Sequence, residues 1–147
     1  MSFTGERKGR LIVFEGIDGT GKSTHIGHLR KYLEEKGLEV VQSFEPTRGR
    51  WGRMLRDSAV TGRLSVEEEV ALFLKDRREH VKMLIAPALA RGAWVLLDRY
   101  YLSMMAYQGA RGVDTSVHRP ANEGFAPMPA AVFSLDIPFS VPLERLR

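Results

Sequence analysis

The chain has 147 residues, of which 44% are hydrophobic and 27% are charged, and these proportions are typical of one folded globular domain. No apolar run approaches the roughly 18 residues that a membrane span needs, and the lack of cysteine excludes disulfides, zinc–thiolate sites and thiol nucleophiles. A net charge of +4 favours anionic partners, among them nucleotides and nucleic acids. We therefore expect a single cytoplasmic domain over residues 1–147, with no membrane partner.

The first half of the chain changes from strand periodicity to helix periodicity. Residues 11–14 form a short apolar run, which predicts a strand buried on both faces. Apolar residues at helical spacing predict a helix over 23–36, and Gly37 stands where a C-terminal cap belongs. A second strand is predicted over 38–44 and a short helix over 52–60.

The second half continues the alternation. Ser65 and Glu68 have capping-box spacing, which predicts the start of a long helix that reaches at least Ala86, and Pro87 is expected to kink it. A further helix is expected to begin at Ser140. The remaining predicted elements are a buried strand over 94–97, a helix over 102–108 and a second buried strand over 131–135. Strands that alternate with helices predict an α/β fold with a parallel sheet covered on both faces, a three-layer α/β/α arrangement.

A glycine-rich motif lies between the first strand and the first helix. Residues 16–23 read G-I-D-G-T-G-K-S, which is the P-loop pattern G-x-x-x-x-G-K-[ST] in its strand-to-helix context. Backbone N–H groups of such a loop point at phosphate oxygens, and Lys22 is expected to neutralise the β- and γ-phosphates of ATP. Ser23 is expected to bind Mg²⁺. The predicted ATP-binding residues are Gly16, Ile17, Asp18, Gly19, Thr20, Gly21, Lys22, Ser23 and Thr24.

Acidic residues follow the predicted strands, at Glu15, Glu45, Asp98 and Asp136. Because the carboxyl ends of parallel strands share one edge of a sheet, we expect these acids to gather around the P-loop. Asp98 is the best candidate for Mg²⁺ or its water, and Arg99 is placed to hold a second anion. The alternative for Asp98 and Arg99 is a surface salt bridge at a strand end. Asp136 is interpreted as structural.

A charged residue interrupts the apolar stripe of the long helix. Arg77 follows Phe73 by one helical turn, so the ring and the guanidinium should project into one site. In one interpretation, Phe73 stacks on a flat ring and Arg77 donates hydrogen bonds to its edge. In the other, Arg77 reaches solvent or pairs with a nearby acid, since an unpaired buried charge is costly.

These motifs together resemble the thymidylate kinase family over nearly the whole chain. The matching segments are the P-loop at 14–24, the acceptor loop at 45–46, the thymine clamp of Phe73 and Arg77, and the Asp-Arg-Tyr region at 98–100 with Ser103 and 106–109. A P-loop alone is common, but this combination in this order is specific.

The resemblance implies a kinase that transfers the γ-phosphoryl group of MgATP to dTMP and that forms a homodimer packed through helices. Asp18 would approach the acceptor sugar, Arg99 would grip the acceptor phosphate, and Tyr107 would crowd the 2′ position. The implied catalytic residues are Lys22, Asp18, Arg99 and Asp98. The implied acceptor-binding residues are Glu45, Pro46, Arg56, Phe73, Arg77, Arg99, Ser103, Tyr107 and Gln108.

The sequence departs from the family pattern at two positions. Phe44 replaces an arginine of the phosphate clamp, for which Arg48 or Arg50 is a candidate substitute, and Met104 replaces a polar residue near the base. Gly19 stands where some members carry a P-loop arginine, so the chain resembles the members whose arginines lie in a later lid. That lid is expected beyond residue 147, and we expect these residues alone to turn over weakly or not at all.

Two alternatives to a dTMP kinase stay open at this point. A P-loop does not identify the acceptor, so the chain could be a kinase of another small molecule, which acceptor profiling would reveal. It could also be a non-catalytic nucleotide-binding module, which would show no turnover. Nucleic acid is the least favoured partner, because the sequence lacks a basic stripe with interleaved aromatic residues.

Overall fold

The computed structural model describes residues 8–110, 112, 114, 116 and 118–136, apart from the side chains of residues 104 and 106–108. The helices are α1 (Lys22–Glu35), α2 (Arg50–Thr61), α3 (Val66–His80), a π-helical turn (Val81–Ile85), α4 (Ala86–Ala90), α5 (Tyr101–Ala110) and α6 (His118–Glu123). The strands are β1 (Arg10–Glu15), β2 (Val40–Phe44), β3 (Trp94–Asp98) and β4 (Ala131–Ser134).

The four strands form one sheet in the order β2-β3-β1-β4, and every neighbouring pair is parallel. Asp98 at the end of β3 is level with Phe14 on one side and with Phe44 on the other. The register therefore brings the carboxyl ends of β1, β2 and β3 to one edge. The predicted parallel sheet is confirmed.

Both faces of the sheet are covered. In β1, Leu11 and Val13 belong to one buried cluster, which includes Ile85 of the π-helical turn. Ile12 and Phe14 belong to a second cluster, together with residues of α1. Since successive side chains of a strand point to opposite faces, the alternation in β1 places one helical layer on each side. This confirms the predicted three-layer arrangement.

The predicted helix signals act as expected at two helix ends. Ser65 accepts a hydrogen bond from the Glu68 amide at 3.2 Å, and its own amide donates to the Glu68 carboxylate at 2.7 Å, which is a complete capping box. Beyond α1, Gly37 has φ +75°, and its N–H donates to the carbonyl of Glu34 at 2.9 Å. Glycine adopts this left-handed conformation without steric cost, so the predicted C-terminal cap is confirmed.

The structure differs from the predicted elements at several points, of which three have a larger effect. Strand β2 begins at Val40, because the Leu38 amide donates to the carbonyl of Leu33 and so belongs to the end of α1. Helix α2 begins at Arg50, before the predicted start. The long predicted helix changes to π-helical winding over Val81–Ile85, just before Pro87. Proline has no N–H to donate, so a change of winding is the form that the expected kink takes.

Two predictions lie partly or wholly outside the described residues. The helix expected from Ser140 cannot be compared, and the limits of the single domain over residues 1–147 stay a prediction. No helix in the described part of the chain is long and apolar enough to cross a membrane.

The loop between β2 and α2 is held on both sides. From α3, the carboxylate of Asp76 accepts the Thr47 amide at 2.8 Å and the Thr47 hydroxyl at 2.6 Å. From α2, Gly52 lies so close that a Cβ atom there would stand 2.0 Å from the Thr47 carbonyl oxygen. The loop that begins at Glu45 is therefore fixed between two helices.

We expect Gly52→Ala to lower the free energy of unfolding by about 1–3 kcal/mol or more, because the new methyl group meets backbone that cannot move aside. Gly27→Ala in α1 is the matched control. A Cβ atom at Gly27 would have nothing within 4 Å, so this variant should be neutral or more stable by up to about 1 kcal/mol. Urea unfolding measures both, and equal effects would contradict the close packing at Gly52.

Candidate functional site

The P-loop closes around the ammonium group of Lys22. The Lys22 side chain is buried, and Nζ donates hydrogen bonds to the carbonyl oxygens of Gly16 at 2.6 Å and Ile17 at 3.1 Å. Gly21 is the N-cap of α1 and has φ +94°, a conformation that favours glycine. The loop carbonyls of Gly16 and Ile17 therefore hold the positive charge of Lys22.

A cavity of about 580 Å³ opens above this loop, at the N-terminus of α1. It is lined by Asp18, Gly19, Thr20, Gly21, Lys22, Ser23, Thr24, His25 and Asp98. The N–H groups and the dipole at a helix N-terminus favour an anion. Of the predicted ATP-binding residues, Gly16 and Ile17 instead line a neighbouring cavity of about 630 Å³, which also includes Asp18, Arg99 and Ser103.

Asp98 faces the P-loop with an unsatisfied oxygen. Its Oδ1 is buried without a hydrogen-bond partner and lies 3.9 Å from Lys22 Nζ. Burial raises the pKa of Asp98, while the charges of Lys22 and Arg99 lower it. Burial likewise lowers the pKa of Lys22, helped by the charge of Arg99 and opposed by the nearby acids. Each charged group is thus partly desolvated and incompletely paired.

The donor atoms at this point fit a magnesium ion. Asp98 and Ser23 line the same cavity and offer a carboxylate and a hydroxyl oxygen, which are ligands that Mg²⁺ prefers. Within the described residues, no group of three or more His, Cys, Asp or Glu side chains could hold a metal alone. The arrangement therefore suits a metal that shares its coordination with phosphate oxygens and water, as Mg²⁺ commonly does.

Arg99 has an unusual backbone and bridges two segments. Its φ is +70°, the one positive φ of a non-glycine residue in the part of the chain that the structure describes. Its amide donates to the Phe14 carbonyl at 2.9 Å, and its guanidinium Nη2 lies 2.6 Å from Asp18 Oδ1. A left-handed conformation costs roughly 1–2 kcal/mol, and here it directs the side chain from the end of β3 toward the P-loop.

A third cavity, of about 210 Å³, lies beside Arg99 and between α2, α3 and α5. Most of the predicted acceptor-binding residues line it. They are Glu45, Pro46, Arg56, Phe73, Arg77, Arg99 and Ser103. Tyr107 and Gln108 belong to α5, but their side chains lie outside the described part of the structure. We call this space the acceptor cavity.

Arg77 pairs with an acid, as one interpretation of its sequence position predicts. Its guanidinium is 1% exposed and lies against Glu45 Oε2, with Nε at 2.7 Å and Nη2 at 2.6 Å. Nη1 donates to Asn122 Oδ1 at 2.5 Å, and the group stands 5.1 Å from the centre of the Tyr100 ring. It is therefore paired with an acid and also forms part of the wall of the acceptor cavity.

Comparisons with known proteins agree with one another. The family model for thymidylate kinase matches residues 14–147. The chain belongs to the thymidylate kinase family. A thymidylate kinase of Akkermansia muciniphila is 90% identical over 146 residues, which are 99% of this chain and 71% of that protein. One of Xanthomonas campestris pv. campestris is 55% identical over 139 residues, which are 95% of this chain and 61% of that protein.

The fold agrees with a solved member of the family. The crystal structure of thymidylate kinase from Ehrlichia chaffeensis is similar with a TM-score of 0.78 at 32% sequence identity, covering 95% of this chain and 78% of that one. The chain thus spans less than the full length of each of these three relatives.

The expectation that all strand-end acids face the P-loop needs correction. Glu15 accepts the amide of Tyr100 at 3.0 Å and the amide and hydroxyl of Ser103, and so it caps the N-terminus of α5. Burial raises the pKa of Glu15, and these hydrogen bonds lower it. Glu45 turns toward α3, and Asp136 is exposed. Only Asp98 of these four lines the P-loop cavity, because α5 holds Glu15, α3 holds Glu45 and Asp136 is exposed.

The two arginines suggested as substitutes at the Phe44 position lie against aromatic rings. Arg48 stands 5.5 Å from the centre of the Phe44 ring, and Arg50 stands 4.8 Å from that of Trp51. Neither belongs to the lining of the acceptor cavity. Arg56 does line that cavity, and its Nη1 donates to the Pro46 carbonyl at 2.9 Å.

Sequence reasoning missed two buried polar residues around Arg77. Asn122 is 0% exposed and touches the guanidinium from α6. His80 lies on the far side of Glu45, with Nδ1 at 2.9 Å from Glu45 Oε1 and Nε2 at 2.7 Å from the Ser43 hydroxyl. The spacing of His80, one turn beyond Arg77 on a helix that faces the core, is a signal that could have found it.

We expect Asp98→Asn to change how stability depends on pH. Burial raises the pKa of Asp98 above its usual 3.8, so the folded protein holds this proton more tightly than the unfolded chain does. The stability contributed by this group is present at low pH and is lost as the pH rises through the folded pKa. The variant lacks this loss, so its stability relative to the wild type should increase as the pH rises above about 3.8.

Asp114→Asn is the control for this measurement. The pKa of exposed Asp114 is lowered by hydrogen bonds from Ser116, so its contribution changes only below about pH 3.8 and the difference from wild type should be flat over the same range. Urea unfolding at a series of pH values measures both. A flat difference for Asp98→Asn would show that burial does not disfavour its charge.

Proposed function

We propose that this chain transfers the γ-phosphoryl group of MgATP to dTMP, the activity that its family name describes. The observation that carries the proposal is the position of the Asp18–Arg99 pair. Asp18 lines the P-loop cavity, Arg99 lines the acceptor cavity, and both line the space between them. The two cavities therefore meet where a phosphoryl group would pass.

On the donor side, a bound phosphate would replace the contacts that Lys22 makes with the P-loop carbonyls. The ammonium of Lys22 now rests on the carbonyls of Gly16 and Ile17, and a phosphate that enters would take over that charge. Mg²⁺ would be held by Asp98 and Ser23, and when bound it would neutralise charge on the phosphate oxygens. The buried Asp98 oxygen without a hydrogen-bond partner supports this assignment.

On the acceptor side, the cavity offers a ring, a base-edge donor and two cations. Phe73 is half-buried and lies one turn before Arg77, so a pyrimidine stacked on its ring would present an edge to the guanidinium. Arg56 and Arg99 line the same cavity and would grip the acceptor phosphate. The acceptor phosphate would then stand beside the P-loop cavity.

The chemistry needs no covalent intermediate. An oxygen of the acceptor phosphate forms a bond to the γ-phosphorus as the bond from that phosphorus to the bridging oxygen of ADP breaks. The residues contribute positioning and charge, with Lys22 on the donor and Arg99 on the acceptor. A cytoplasmic location and a homodimer stay predictions from the sequence.

Lys22→Ala should abolish tight MgATP binding, because it leaves phosphate charge without its buried counter-charge. Lys31→Ala, which removes an exposed lysine from the same helix, is the matched control and should bind MgATP like the wild type. Isothermal calorimetry measures both affinities. Equal affinities for Lys22→Ala and Lys31→Ala would remove the P-loop from the proposal.

We expect dTMP to bind at least ~10-fold more tightly than dCMP. Arg77 can donate to the carbonyl of thymine but would face the amino group of cytosine, and a buried donor left facing a cation costs about 1–3 kcal/mol. Arg77→Ala should reduce this preference while MgATP binding is retained. Calorimetry with dTMP, dUMP, dCMP and dGMP provides the test, which does not depend on turnover.

Two results would contradict the thymidylate assignment. One is tight binding of dCMP or dGMP, equal to that of dTMP. The other is an unchanged ranking of the four nucleotides in Arg77→Ala. Either result would favour a kinase of another small acceptor.

A further inference from the structure

A buried amide supports Arg77 from the side opposite Glu45. Asn122 lies on α6, 45 residues after Arg77 in the chain, and its Oδ1 accepts Arg77 Nη1 at 2.5 Å. Asn122 is 0% exposed and is not part of the lining of the acceptor cavity. It therefore touches the group that faces the acceptor without facing the acceptor itself.

We propose that Asn122 is a positioning residue that sets base selectivity by fixing the plane of the Arg77 guanidinium. The inference rests on the proposed function, in which Arg77 donates to the edge of the base. Arg77 Nε and Nη2 both bond to the same oxygen, Glu45 Oε2, so this contact alone would still let the guanidinium turn about that oxygen. A bond from the Nη1 end adds a second fixed point and defines the plane.

The orientation of the Asn122 amide is fixed by its own partners. Its Nδ2 donates to the His118 carbonyl at 2.7 Å, which leaves Oδ1 as the atom that faces the guanidinium. The backbone carbonyl of Asn122 accepts hydrogen bonds from the amides of Phe125 at 3.1 Å and Ala126 at 2.7 Å, which hold the residue in place. Turning the amide over would place a donor against a cation and an oxygen against an oxygen, and both are costly when buried.

The neutrality of the amide is also part of its role. Arg77 and Glu45 carry opposite charges, so the buried pair is neutral as a unit. A carboxylate in place of the Asn122 amide would make the group negative beside a cavity that Arg56 and Arg99 also line. It would further oppose the His118 carbonyl. An amide is the side chain that can hold the guanidinium without adding charge.

Two variants separate position from charge. Asn122→Ala removes the second fixed point, and Asn122→Asp keeps an acceptor but adds a charge and loses the donor to His118. We expect both to weaken dTMP binding by roughly tenfold or more, to bring the dTMP-to-dCMP affinity ratio close to one, and to leave MgATP affinity unchanged.

A control variant and a double variant complete the design. Arg119→Ala breaks the exposed pair between Arg119 and Glu123 on the same helix, at 2.7 Å, and should leave every affinity unchanged. In a chain that already carries Arg77→Ala, adding Asn122→Ala should not alter the dTMP-to-dCMP ratio further, because Asn122 acts through Arg77.

Calorimetry with dTMP, dCMP and MgATP reads every variant, and thermal unfolding confirms that each is folded. If Asn122→Ala does not fold, Asn122→Asp decides the same question. An equal loss of dTMP and dCMP affinity, with the ratio preserved, would show a merely structural role and overturn the inference alone. A wild-type protein without a preference for dTMP would overturn the proposed function and this inference together.

Discussion

The buried pair of Arg77 and Glu45 is the interaction on which the arrangement of the acceptor cavity depends. A guanidinium with 1% exposure is tolerated only with a partner, and Glu45 supplies it from the carboxyl end of β2. The pairing fixes α3 relative to the sheet. Glu45 also begins the loop that α2 and Asp76 hold. The ion pair therefore sets the relative positions of β2, α2 and α3 around the cavity. Breaking it by removing one partner would leave the other charge buried and uncompensated.

The P-loop and the acceptor cavity solve the problem of buried charge in different ways. Arg77 has a fixed acid and a fixed amide, so its orientation is determined before any ligand arrives. Lys22 rests on the loop's own carbonyls, and its nearest acids, Asp18 and Asp98, are each 3.9 Å away. The first arrangement suits a group that must recognise a flat edge in one geometry. The second suits a group that must exchange its partners when a phosphate binds.

Local patterns in the sequence predict local structure here. They do not predict the contacts between residues that are far apart in the chain. Three features depend only on residue spacing within a short segment: the P-loop, the capping box at Ser65, and Phe73 one turn before Arg77. The sequence alone is therefore sufficient to predict them. Asn122 reaches Arg77 across the fold, from a short helix without a strong periodic signal. Glu15 could be placed at the edge of the sheet, but its partners come from α5 through tertiary packing alone. Such contacts require the strand order and register, which sequence patterns do not specify.

The least favourable local features lie at the boundary between the two cavities. Arg99 holds a left-handed backbone, Asp98 keeps a buried oxygen without a hydrogen bond, and burial lowers the pKa of Lys22. Other buried polar groups are paired, as the contacts of Glu15, Glu45 and Asp76 show. A fold tolerates such local costs where the surrounding structure is stable enough to maintain them. Here the costs fall on residues that a donor phosphate, a metal ion and an acceptor phosphate would each satisfy. Ligand binding would therefore supply partners for these charges, and part of the binding free energy would come from groups that are already in position.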